Sequence, residues 1–543
     1  MQTEEEKFQE FMSEASQYED SIYLEDLWKS DANVQTVKAD KHLYKITTKR
    51  LQFHNLVTLF QAALDAYLTL LTDWTLPFTH PLNWLYLIFV YPVVLFGFAI
   101  FEISIIILNA IHLNNLINFI DGKWREYTTP VELFDSEFYN EPQNRFVAED
   151  GVDALDQSYF LEGEENVEKH PDFNLDIAQF LLYLSDLVYS RESDKAWNAK
   201  LNVHLMKRTP QKCDVQEIVG LLRKSDETIR NQAKKWHLTF TTLSELDSAG
   251  DSFAGLFYSE KHNFIVVTFK GPSPDDFEKW FTDLTFQHED SRSFIHSEAH
   301  KSYRSLLYPE DKVGPYATII DGIHHAIKNI RHYRDQGPRK HKPINIWVTG
   351  HSLGGAMATW FYGRVKKCPT DLGEYCVLRD AYVFGAPRVG DSDFVLTYKS
   401  SPSKHGNVES ALWRVVDDND LLAHLPPGYH YPKNVGKYNI LTNYSVGEAV
   451  KFYQDKDKKP KLLKNPILEP GYVPVIKSSR PVDGDKHNFP THIYDKSLPS
   501  FIRNHMTSRY AIALAFARNH LREREGISGT KGYNGEIILE REK

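Results

Sequence analysis

The chain has 543 residues, 42% of them hydrophobic, with 63 Lys and Arg against 73 Asp and Glu, a formal net charge of −10. That length allows one large domain plus a substantial second region whose cores need no cross-links. The acidic balance argues against a nucleic-acid partner, because phosphate binding needs a concentrated Lys/Arg surface. Three cysteines, Cys213, Cys368 and Cys376, form neither a disulfide framework nor a zinc spacing, which suits a reducing compartment.

In chain order, "MQTEEEKFQEFMSEASQYED" lacks the basic start and short apolar core of a secretory signal. Residues 1–50 are expected to form an acidic and polar tail facing the cytosol. From Trp74 to Phe101 no residue is charged, and "LNWLYLIFVYPVVLFGFAIF" is long enough to cross a bilayer as a helix. After Glu102 a second apolar run continues to Ile120, and Trp74, Trp84, Tyr86 and Trp124 sit near the ends, where amphipathic rings favour the interface. Pro92 and Gly97 can bend the segment, while Glu102, Asn109, Asn114 and Asn115 make the second run a poor lone span. Lys38, Lys41, Lys45, Lys49 and Arg50 precede the apolar region and Lys123 and Arg125 follow it, which puts both ends on the cytosolic side. Residues 51–125 are therefore expected to be a membrane-embedded helical segment, preferably a hairpin in one leaflet. Residues 126–172 turn acidic with little periodicity and are expected to be a solvated linker.

From residue 173 strand and helix signals alternate, the pattern of an α/β domain. "FAGLFYSEKHNFIVVTFKG" predicts a hairpin, and "YATIIDGIHHAIKNIRHYR" a helix stopped by Gly337 and Pro338. "INIWVT" predicts a short strand that runs directly into "GHSLGG", with a helix after it. The pattern G-x-S-x-G at a strand-to-helix turn lifts a serine hydroxyl clear of the sheet. Ser352 is therefore the candidate nucleophile, with Gly350 and Gly354 clearing the turn and the Leu353 N–H placed to meet an oxyanion. A serine needs a base and the base needs a carboxylate. Downstream, "ALWRVVDDNDLLAHLPP" predicts a strand ending in Asp417, Asp418 and Asp420.

Four stretches in order, "FIVVTFKGPSPDDFEKWFTDL", "INIWVTGHSLGGAMA", "AYVFGAPRVGD" and "RVVDDNDLLAHLPP", resemble the class-three, fungal-type triacylglycerol lipases from about residue 172 onward. The apolar N-terminal region joined to this domain also resembles oil-body lipases. The resemblance implies an α/β-hydrolase fold over residues 173–543, preceded by the N-terminal membrane-associated helical region. It further implies a Ser-Asp-His triad, with Asp420 as the acid by its spacing before "LPP", and a lid within "TFQHEDSRSFIHSEA", where Phe286, Phe294 and Ile295 would face the site or the lipid. Where the family places Ser or Thr in its first oxyanion position this chain has Pro272, which carries neither N–H nor hydroxyl. Ser273 is then the candidate second donor.

For the base, His424 and His430 follow the acid closely, His487 and His492 fall in a turn-rich stretch, and His520 lies inside a helix-like run. His505, just before that helix, matches the family's layout, with His492 and His487 kept as alternatives. The expected function is a membrane-anchored serine lipase hydrolysing acylglycerol esters through an acyl-enzyme, with no metal or cofactor. The catalytic domain is expected to face the cytosol from the endoplasmic reticulum or a lipid droplet. The alternatives are a phospholipase or a mono- or diacylglycerol lipase on the same scaffold, and a non-catalytic lipid-surface protein.

Overall fold

A computed structural model describes residues 4–29, scattered positions between 60 and 103, and residues 136–156, 173–208, 215–246, 252–271, 288–290, 298–300, 314–334, 343–390, 394, 410–417, 420, 422–424, 445–453, 473–477, 504–524 and 537–540. Among these, nine strands join in one mixed sheet. β1 (Thr239–Glu245), β2 (Phe253–Tyr258) and β3 (Phe264–Lys270) form an antiparallel meander. A further pair, β4 (His288–Asp290) and β5 (Glu298–His300), stands apart as a two-stranded antiparallel ladder within the expected lid region. The large sheet continues from β3 through β6 (Ile344–His351), β7 (Cys376–Phe384), β8 (Leu412–Asp417), β9 (Glu448–Tyr453) and β10 (Val473–Lys477), all parallel. β11 (Ile537–Glu540) closes the order antiparallel to β10.

The central strands are buried along their whole length, as a parallel sheet covered on both faces requires. Side chains alternate between those faces. Ile265, Val267, Phe269, Ile344, Ile346 and Val348 meet the helices Pro315–Arg334 and Leu353–Lys367 on one side. Phe264, Val266, Trp347, Tyr382 and Trp413 meet the helices Pro142–Asp156, Leu175–Leu187 and Thr507–Arg524 on the other. The predicted hairpin, the helix Pro315–Arg334 and the strand entering the serine motif all form where the sequence places them.

Two expectations require correction. The N-terminal tail is not solvated throughout: α1 (Glu4–Ala15) and α2 (Ser21–Lys29) bury Phe11, Tyr23, Leu24, Leu27 and Trp28 against Ala199, Val203, Val215, Ile218 and Leu222. Their charges line the outer face or find partners, since Arg230 holds Asp20 at 2.5 Å and the buried Arg191 donates to the Tyr23 hydroxyl at 2.8 Å. The acidic linker is likewise partly structural. Ser136–Asn140 and Pro142–Asp156 are helices that bring Phe138, Tyr139, Val147, Val152 and Leu155 into the core, and Arg518 bridges Asp150 and Asp176. In both stretches a few apolar residues at helical spacing outweigh an acidic average.

Most of residues 51–125 lies outside the described residues. No helix among the described residues is long and apolar enough to cross a membrane, the helix Leu76–Thr79 having four residues. Most of the described side chains there are open to solvent, among them Trp74 at 74%, Phe78 at 81% and Val93 at 70% exposure.

Candidate active site

The serine motif turns sharply because its backbone has no room to do otherwise. β6 ends at His351, and Ser352 adopts φ 56° and ψ −129°, a region that costs a non-glycine residue strain. The helix then starts at Leu353. A Cβ on Gly354 would lie 2.2 Å from the Phe269 carbonyl oxygen, and one on Gly350 would lie 2.5 Å from the Gly354 oxygen. Only glycine lets the helix start, the turn and the end of β3 close up in this way. The strained conformation is pinned by the Ser352 N–H, which donates to the Phe384 carbonyl at 2.9 Å. The first-turn N–H groups, that of Leu353 included, have no intrahelical acceptor, so the turn presents positive dipole ends beside the Ser352 hydroxyl.

Asp420 and His505 come from loops at the same end of the sheet. Asp420 follows β8, its N–H donating to the Asp417 carbonyl at 3.0 Å. Its Oδ1 accepts from the N–H groups of Leu422 and Ala423 at 2.9 and 3.3 Å. Its Oδ2 accepts from the Tyr510 hydroxyl at 2.5 Å and from His505 Nδ1 at 2.9 Å. His505 Nε2 lies 2.8 Å from Ser352 Oγ. The three side chains thus form one buried chain, Asp420 being fully enclosed and His505 and Ser352 nearly so. Burial opposes ionisation of Asp420, but the adjacent imidazole, its hydrogen bond, the Tyr510 hydroxyl and the Ala423 N–H outweigh burial and hold the carboxyl below its ordinary value. An ionised Asp420 accepts from Nδ1–H, which leaves Nε2 as the acceptor for the serine proton.

Ser352, Asp420 and His505, chosen from the sequence, are brought together. Asp417 is buried near by, with its N–H on the Tyr510 hydroxyl at 3.3 Å, and His424 lies in the short turn after Asp420, where its carbonyl accepts from Arg388 at 2.7 Å. Burial and the neighbouring cations push His424 down to about 4. His520 lies in the helix after His505. Ser273, Pro272, Asp418, His430, His487, His492, Phe286, Phe294 and Ile295 lie outside the described residues. Lys270 is buried, with Nζ 5.3 Å from the centre of the Tyr189 ring and directed at the Gly271 carbonyl at 3.4 Å.

Sequence reasoning missed Tyr510 and Gly385. Tyr510 lies one helical turn into the segment that begins after His505, a position the sequence marks only as a tyrosine near a histidine. Gly385, φ 58°, leaves space for the pair, since a Cβ there would lie 3.0 Å from Asp420 Oδ2 and 3.1 Å from His505.

Residues 266–430 match the family model described as lipase (class 3). Among similar proteins are triacylglycerol lipase OBL1 of Arabidopsis thaliana, 26% identical over 30% of this chain and 34% of that protein, and a lipase of Rhizopus niveus, 26% identical over 37% and 45%. A phospholipase A1-II 1 of Oryza sativa is 33% identical over 17% and 21%. The chain thus spans less than half the length of each of these relatives. Among solved structures, a native Rhizomucor miehei lipase propeptide complex aligns at 19% identity and a TM-score of 0.30, covering 54% of this chain and 76% of that one.

Proposed function

We propose that the protein is a serine lipase that hydrolyses carboxylic esters of acylglycerols at a lipid surface. The observation that carries this reading is the continuous hydrogen-bonded chain from Asp420 through His505 to Ser352 Oγ on a strained strand-to-helix turn. Ser352 Oγ attacks the ester carbonyl while His505 Nε2 takes its proton, and Asp420 holds Nδ1–H and balances the imidazolium. The Leu353 N–H receives the oxyanion, and Ser273 is proposed as the second donor because Pro272 has none. Collapse returns the proton to the leaving alcohol and gives the acyl-serine. Water, activated by the same histidine, then releases the fatty acid. These side chains and backbone dipoles suffice for acyl transfer without a metal or organic cofactor.

The triacylglycerol preference rests on the class 3 match and on the triacylglycerol lipases among the similar proteins. The phospholipase A1 similarity, at higher identity over a shorter stretch, makes a phospholipid ester the second reading. Membrane attachment rests on the apolar run and on its tethers. α2 before it and the helices from Ser136 after it both pack into the same folded body, so a membrane segment between them would have to leave and return on one side. A hairpin in one leaflet of the endoplasmic reticulum or a lipid droplet, with the catalytic domain in the cytosol, satisfies that constraint.

Ser352→Ala is expected to abolish fluorophosphonate labelling and ester hydrolysis while leaving the protein in the membrane pellet after carbonate extraction. Turnover near wild type in that variant overturns the nucleophile assignment. A panel of triacylglycerol, diacylglycerol and phospholipid decides the substrate class, and release of the wild-type protein by carbonate overturns the embedded hairpin.

A further inference from the structure

His351, the residue immediately before the nucleophile, is a buried histidine beside the triad that the acyl-transfer steps do not use. It is 4% exposed. Its Nε2 lies 2.8 Å from the main-chain carbonyl oxygen of His505. A carbonyl only accepts, so Nε2 carries the proton and Nδ1 is the acceptor of the neutral ring. Nδ1 faces the Tyr189 hydroxyl at 3.4 Å, a donor that also reaches the His351 carbonyl at 3.4 Å. The His505 carbonyl therefore sets the tautomer, and the Tyr189 hydroxyl is compatible with it.

We infer that His351 is the positioning residue for the base: its Nε2–H holds the His505 backbone so that the imidazole of His505 bridges Asp420 and the Ser352 hydroxyl. One strand end then carries both halves of the reacting pair. Ser352 is fixed by its own backbone, and His505 is tied to that backbone through the adjacent side chain. The rings of His351 and His505 lie 4.9 Å apart at 40°, so the clamp also sets the plane from which the base works. His505 enters from a loop, which a single peptide-to-side-chain bond can restrain far more than it can an element already in the sheet. The clamp works only while His351 is neutral, since a cation at 4.9 Å would oppose the charge that His505 gains in acyl transfer. Burial, and then the neighbouring His505, push His351 down to about 3, which favours the neutral ring near neutral pH.

This inference rests on the serine-hydrolase reading, and the two fail differently. Loss of labelling in Ser352→Ala tests that reading, whereas the His351 variants are compared with one another in the full-length protein. Gln places an amide N–H where Nε2 stood, Asn places one nearer Nδ1, and Leu has none. On a soluble short-chain ester, His351→Leu and His351→Asn are expected to lose about 10- to 100-fold in kcat with KM within about twofold, the cost of a misplaced base. His351→Gln should recover to within about threefold of wild type. Melting temperatures of the three variants separate this from a packing defect, which would scale with stability and not with donor position. Wild-type kcat in His351→Asn, or equal loss in His351→Gln and His351→Asn, overturns the clamp, and this comparison stands even when His351→Leu does not fold.

Discussion

The docking of α2 depends on a carboxyl that folding disfavours in its ionised form, and this gives a prediction with a definite sign. Asp26 sits in α2 with its two oxygens accepting from the Ser244 hydroxyl at 2.9 Å and the Thr318 hydroxyl at 3.0 Å. Burial raises it from 3.8 to about 6, the two hydroxyls and Lys200 pulling it down and Glu245 pushing it up. A carboxyl raised in the folded state holds its proton there while the unfolded chain has already lost it. Stability therefore falls as pH rises from about 4 to about 6, and the full cost remains at every higher pH. Two pH units correspond to about 3 kcal/mol. The side chain is only partly enclosed, so solvent screening reduces this to about 1–2 kcal/mol. Asp26→Asn removes the charge and keeps an oxygen for one hydroxyl, while the other hydroxyl rotates to accept from the amide. At pH 8 the variant is expected to be more stable by about 1–2 kcal/mol, read as roughly 5- to 30-fold stronger amide-exchange protection across residues 21–29. At pH 4.5 about a third of the difference should remain, and it should vanish near pH 3. Weaker protection in Asp26→Asn at pH 8 refutes the reasoning, because it would mean that the two hydroxyls and Lys200 favour the ionised carboxylate.

The N-terminal helices are structural, so excising residues 51–125 alone is expected to leave an enzyme active on short dispersed esters, whereas deleting residues 1–125 uncovers Val203, Val215, Ile218 and Leu222 and should reduce soluble yield or aggregate. Equal yield and activity from the two deletions would return α1 and α2 to the status of a tail. Tyr510→Phe removes a donor to Asp420 and the acceptor of the Asp417 N–H, and kcat is expected to fall about 10-fold with little change in KM. That hydroxyl favours the ionised carboxylate, so without it Asp420 rises and the acid loss of kcat/KM moves to higher pH; an unmoved acid limb refutes its role.

What the sequence made legible is what short range determines. Ser352 is readable because the whole device, an apolar strand, two glycines and a helix start, lies between residues 344 and 367. The strands β2, β3 and β6 are readable because burial on both faces leaves them almost without charge. Asp420 and His505 lie 85 residues apart, and no periodicity links them; the layout of a resembling family singled out His505 among six histidines. Residues 4–29 and 136–156 escaped because composition averages over a helix, and an average of acidic residues describes only its outer face. In α2 the core contacts are Tyr23, Leu24, Leu27 and Trp28, one stripe at helical spacing that Glu25 and Asp26 interrupt in the sequence and Lys29 follows.

His351 escaped for a different reason, and strand geometry supplies the signal that would have found it. Side chains two apart on a strand share a face. On β6 the Trp347 indole N–H donates to the Leu155 carbonyl, and the Thr349 hydroxyl is within reach of the Leu181 and Tyr382 carbonyls. The alternation puts His351 on that same face, toward the helices Leu175–Leu187 and Thr507–Arg524, and there it meets Tyr189 and the His505 carbonyl. The base enters this fold from the loop just before the second of those helices. A serine lifted off the end of a strand thus has, as its N-terminal neighbour, a side chain directed at the helix layer from which its base arrives. A donor at that position links the two, and an apolar residue there would leave the base to be held by its carboxylate alone.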